Sequence, residues 1–178
     1  MSEEGAQWLR EFKKFLRKEK TWDSLFLEFV SAFRLMSAGR FVASDHLTTT
    51  NKKVKIAYLG DNFRQHFLAK VEEPQAETEL RISKLKKASP EAPILAELGD
   101  KAETTLASIW ELLKKQPKGE SGKLLTNGYA NIFYVRDAKG VLWAVSVRWR
   151  SAGWSVDAIS VENPYVWYDG FQVFSRNS

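Results

Sequence analysis

Apolar residues return at helical intervals from the start of the chain. Trp8, Leu9, Phe12, Phe15 and Leu16 fall at i, i+1, i+4, i+7 and i+8, one stripe of a 3.6-residue period, which predicts a first helix. Leu25, Phe26, Phe29, Val30 and Phe33 carry a similar spacing. Thr21 stands before them as an N-cap, with Asp23 in the first turn and Ser37-Ala38-Gly39 as the stop. Two such segments with a short link predict an N-terminal helical pair.

The period then changes. Lys53 to Leu59, KVKIAYL, alternates as a strand does. Gly60-Asp61-Asn62 reads as a turn and Phe63 to Val71 as the returning strand or a short helix, the strand being preferred, which makes a small β element. Residues 72–89 settle on no period. Pro90 and Pro93 suit the start of a short helix that ends at Gly99. Asp100 is placed to cap one long central helix over 101–116. Leu106, Ile109, Trp110 and Leu113 share one side of it, and Lys114 and Lys115 complement its dipole.

From Tyr129 onward the alternation is sustained. Tyr129–Arg136, Val141–Arg150 and Trp154–Val161 read as strands of an antiparallel meander, with turns at 137–140 and 151–153. Tyr168-Asp169-Gly170-Phe171 predicts a further tight hairpin. Setting Trp149 opposite Trp154 places Val147 opposite Val156 and Val145 opposite Ala158, while Arg148 meets Ser155 and Ser146 meets Asp157. A slip of one residue destroys that segregation. The pattern makes the tryptophans chiefly the buried face of a sheet packed on the Leu106–Leu113 helix face. The alternative is a platform at the hairpin tip, where Trp149 and Trp154 lie beside Arg148 and Arg150.

These elements predict an α+β fold: the helical pair, the small β element, the long central helix, and a C-terminal antiparallel β-meander packed on helices. The 178 residues suit a single domain, with a possible division into a basic helical and β part at 1–71, a plainer connecting region at 72–100, and helix plus sheet at 101–178. Composition narrows the classes. The absence of cysteine excludes disulfides and thiolate metal sites. No apolar run has the ~18 residues of a membrane span, and MSEEGAQWLREFKKF lacks a signal-peptide core. A cytoplasmic protein is the expectation.

The net charge of +5 is concentrated. Residues 1–70 hold 13 Lys+Arg against 8 Asp+Glu, whereas the remainder is close to balance. In the first predicted helix Arg10, Lys14 and Lys18 form one row and Lys13 and Arg17 a second, all opposite the apolar stripe. Like charges at i, i+4 oppose one another, so an anionic partner suits that face. Lys52 and Lys53, with Lys55, follow three threonines in a second basic cluster. The GESGK stretch at 119–123 has the wrong spacing for a phosphate loop. His46 and His66 stand in no metal-ligand or nucleophile motif, and Asp157 and Asp169 are not brought together as catalytic carboxylates.

The functional expectation is a non-catalytic binding or adaptor protein acting through a protein–protein surface, with an acidic protein as partner. The alternative is a nucleic-acid-binding protein using the basic face of the first helix. A second alternative is an enzyme with a site near Asp45 and His46. The candidate binding residues are Arg10, Lys13, Lys14, Arg17, Lys18, Lys52, Lys53, Arg148, Trp149, Arg150 and Trp154. No catalytic residue, metal ligand or cofactor is expected.

Overall fold

The computed structural model describes residues 25–177. Its strands are β1 Leu27–Leu35, β2 Phe41–Val42, β3 Ile56–Leu59, β4 Val71–Glu72, β5 Thr78–Leu85, β6 Ser89–Pro90, β7 Asn131–Arg136, β8 Leu142–Arg150, β9 Gly153–Ser160, β10 Val166–Trp167 and β11 Gln172–Arg176. The helices are α1 Ala43–His46, α2 Asp61–Phe67, α3 Glu91–Leu98 and α4 Leu106–Lys115.

Seven of the strands form one sheet in the order β1-β5-β11-β7-β8-β9-β3. The β8–β9 register is the one that the alternation requires: Trp149 faces Trp154, Val147 faces Val156 and Arg148 faces Ser155. Two pairings are parallel, β11 with β7 and β3 with β9. The C-terminal meander is therefore incomplete. The hairpin expected at Tyr168–Phe171 does not form, because β10 pairs with β6 and β11 inserts between β5 and β7.

The expected α+β architecture is overturned. The described chain is mainly β, a mixed sheet with four short helices. The second member of the helical pair is the edge strand β1, and the first lies outside the described residues. The cause is a bulge. The β1–β5 register shifts between Phe29 and Ser31, so Phe29 pairs with Ser83 on one face while Phe33 pairs with Leu80 on the other. One extra residue turns a period of two into spacings that imitate a helix.

The long central helix shrinks to α4, whose cap is Thr105 rather than Asp100. The Thr105 hydroxyl accepts the Ser108 N–H at 3.1 Å. Of the two readings of Phe63 to Val71 the helix is the one found, as α2 rather than the preferred strand, because Phe63 and Phe67 are a buried i, i+4 pair stacked 5.1 Å apart. The short helix before Gly99 is present as α3, and Gly99 follows it at φ +59°.

Apolar side chains fill both faces of the sheet. On one face Phe133, Val145, Val147, Trp154, Val156 and Phe174 pack on α4 and α2. On the other Ile132, Tyr134, Ala144 and Val173 pack on Ile94 of α3 and Trp167 of β10. Burial on both faces explains the almost unbroken apolar run of β7. The N-terminus of α4 is held from a distance by Glu72, whose carboxylate accepts the Leu106 and Ala107 N–H groups at 2.9 Å each. At the other end, the Gln116 side chain closes the following loop through Leu124 and Glu120. These two ties orient α4 along the strands.

Candidate functional site: the basic end of the sheet

Parallel pairing of β3 beside β9 joins segments that the sequence keeps apart. Ile56 stands opposite Trp154, and the Lys55 carbonyl accepts the Trp154 N–H at 2.8 Å. The Lys55 N–H donates to the Pro117 carbonyl, also at 2.8 Å. The register puts Arg150 opposite Gly153, which is so close to Lys55 that an added Cβ would lie 2.6 Å from the Lys55 carbonyl oxygen. Lys52, Lys53 and Lys55 thus arrive at the same end of the sheet as Lys118 and Arg150. All five are exposed.

The same end continues across the sheet. Asn131, at the start of β7, pairs with both Val147 and Gln172, and Gln172 pairs with Lys84. Arg148, Tyr129, Phe171 and Lys84 therefore lie next to one another around these strand ends. The guanidinium of Arg148 sits 5.0 Å from the centre of the Phe171 ring, with its Nε donating to Ser146 Oγ at 3.2 Å. Tyr129 and Tyr168 meet Phe171 edge-on at 5.4 and 5.9 Å. Both tyrosines are exposed, at 45% and 59%. Gly170, at φ +82°, lets this cluster close, since a Cβ there would stand 2.9 Å from the Tyr129 ring and 3.8 Å from Lys84 Cε.

The tryptophan pair has a different role. Trp154 is completely enclosed and donates its indole N–H to the Gln116 carbonyl at 2.8 Å. Trp149 meets it edge-on at 5.3 Å, and its ring leaves no room for a Cβ at Gly119. Trp154 is core, and Trp149 is the partly covered rim of that core. Neither forms an open stacking platform, which resolves the two readings of the hairpin in favour of burial.

Charge separates the two ends of the sheet. Among the described residues no ion pair engages Lys52, Lys53, Lys55, Lys84, Lys118, Arg148 or Arg150. Three ion pairs lie at the opposite end: Arg136 with Glu103 at 2.9 Å, Lys70 with Glu72 at 3.1 Å and Arg34 with Glu77 at 3.5 Å. At the basic end, the Glu120 carboxylate accepts the Lys118 backbone N–H at 2.7 Å, and Asp169 lies in the turn before Phe171. The C-terminus of α4 also ends here with Lys114 and Lys115, where its dipole complements positive charge, although Lys114 is paired with Glu111 at 2.6 Å.

The remaining sequence candidates are placed as follows. Arg10, Lys13, Lys14, Arg17 and Lys18 lie outside the described residues. His46 is stacked between Phe41 and Trp110 at 4.8 and 5.1 Å, while Asp45 is exposed. Thr48 and Thr50 hydrogen-bond to each other, and the Asn51 carboxamide ties the Lys53 and Val54 N–H groups into the loop. These contacts shape a loop, and among the described residues no ion pair engages His46. Lys84, Lys118, Tyr129 and Tyr168 were missed from the sequence, because Lys84 sits in the unassigned 72–89 stretch and Tyr168 in a segment read only as a turn.

Two buried carboxylates besides Glu72 belong to the scaffold. Glu91 accepts the Tyr134 O–H and the Trp167 indole N–H, both at 2.5 Å. Burial pushes its pKa up, and the two hydrogen bonds offset that only in part. Burial also raises the Tyr134 phenol, helped by the Glu91 charge. Asp137 lies 3.4 Å from His66 Nδ1. Burial pushes its carboxyl up, but the Val141 and Lys139 N–H groups, the Trp143 indole and His66 together bring it below its ordinary value. Among the described residues no three His, Asp or Glu side chains gather as a metal site requires. No helix there is long and apolar enough to cross a membrane. Compared with known families, curated proteins and solved structures, the chain gives no match.

Proposed function

We propose that the protein is a binding protein and that the basic end of its sheet is the contact surface for a polyanionic macromolecule. The observation that carries this reading is the convergence of Lys52, Lys53, Lys55, Lys118 and Arg150 from separate segments without a carboxylate partner. Gathered like charges raise the energy of the free protein, and an anionic partner relieves that repulsion. Carboxylate-rich proteins and phosphate backbones offer the same charge to these groups. The aromatic side chains at the same end of the sheet bear on which of the two it is.

The test is binding to a poly-L-glutamate or phosphate polymer at about 50 and 200 mM salt, with a Lys52→Glu/Lys53→Glu/Arg150→Glu variant alongside. The side chains are exposed, so the variant should melt as the parent does. Binding that weakens with salt and is lost in the variant supports the reading. Equal binding by parent and variant, or no binding at the lower salt, overturns it.

A further inference from the structure

Tyr129, Tyr168 and Phe171 form an aromatic group inside the basic end, with the cations Arg148 and Lys84 among its neighbours, Asp169 in the turn, and Glu28 opposite Lys84 across β1 and β5. Arg148 covers one side of Phe171, and Lys84 lies beside Gly170 and Tyr129. Cation–ring contacts also occur on the β1–β5 pair and just outside it. Arg81 sits 4.5 Å over the ring of Phe29, itself 52% exposed, and Lys87 sits 4.4 Å over Phe26. These cations rest on rings, so they are ordered without being neutralised and keep N–H groups for an anion. Exposed tyrosines beside cations also occur at protein interfaces, where tyrosine and arginine are enriched. A nucleotide strand uses both, since each base has a face to stack and each phosphate a charge to be met.

We infer that the polyanion is a single strand of nucleic acid, its bases stacked on Tyr129 and Tyr168 and its phosphates held by Lys84 and Arg148. The inference rests on the reading of the basic end as a polyanion surface and names the partner class for it. Duplex is the poorer fit, because its base faces are covered by their neighbours in the stack. Recognition by stacking tolerates sequence, as every base has a π face.

The experiment uses the full chain and three probes: a labelled oligothymidine of about 20 nucleotides, an abasic strand of the same length and charge, and poly-L-glutamate. The parent should bind oligothymidine about tenfold or more tightly than the abasic strand, as stacking of one or two bases requires. The Tyr129→Ala/Tyr168→Ala variant should bind both strands alike, with its affinity for the abasic strand unchanged. Those rings are exposed, and a matching melting temperature would show that the fold is intact. Equal binding of the two strands by the parent overturns the inference while leaving the polyanion reading in place. Tighter binding of polyglutamate overturns it in favour of an acidic protein partner. No binding to any probe at low salt overturns both.

Discussion

Trp154 donates its indole N–H to the main-chain carbonyl of Gln116 at 2.8 Å and so pins the last turn of α4 to the tip of the β8–β9 hairpin. The ring is fully enclosed, and Trp149 packs against it from the rim. Deleting a buried tryptophan removes a large apolar surface and leaves a cavity. Trp154→Ala should lower stability by about 3–5 kcal/mol in urea denaturation. Trp149→Ala should cost less, because part of that ring already meets solvent. Equal costs would contradict the assignment of one ring to the core and the other to its edge.

Glu72 caps α4 from β4, more than thirty residues earlier in the chain. Both carboxylate oxygens accept N–H groups of the first turn, and Lys70 completes the arrangement at 3.1 Å. In Glu72→Gln the amide nitrogen cannot accept, so one helix N–H loses its partner. The expected loss is about 1–3 kcal/mol in equilibrium unfolding. Glu73→Gln, on the exposed neighbour, should stay within about 0.5 kcal/mol. A Glu72→Gln protein as stable as the parent would show that the clasp contributes nothing.

Glu91 gives the fold a pH dependence of known sign. Its carboxyl titrates above the ordinary range in the folded chain, chiefly through burial. The folded state therefore takes up this proton before the unfolded state does. The group's contribution to stability should increase as pH falls from about 7 through its folded pKa, then level off below the ordinary value of about 4.3. Glu91→Gln removes that dependence. Asp137 acts in the opposite sense at lower pH, because its carboxyl is held down, but it is common to both proteins and cancels. The stability of the parent minus that of Glu91→Gln should rise between about pH 7 and pH 4. A flat or falling difference would contradict the buried-carboxyl account.

What the sequence shows depends on how local each feature is. The β8–β9 register was legible because a tight turn joins two strands with clean alternation and matched apolar faces. β1 was not, since the bulge at Val30 disguises its period. β11 escaped because its parallel partner β7 lies far back in the chain, and no local pattern marks that pairing. The site follows the same division. Lys52, Lys53, Arg148 and Arg150 stand out as clusters in the sequence, but their convergence depends on β3 lying parallel to β9. Tyr129, Lys84 and Tyr168 come together only through the neighbours of β11. The buried role of Trp154 could be read from alternation, whereas its bond to Gln116 could not.

The most direct test of the basic end as the working surface is an NMR titration of the labelled protein with a polyanion, following every assigned backbone amide. Shifts should concentrate at residues 52–55, 84–87, 118, 129, 148–153 and 168–171, and should leave the Arg136–Gly140 turn at the opposite end unmoved. Shifts centred on that turn, or spread evenly over both ends of the sheet, would contradict it.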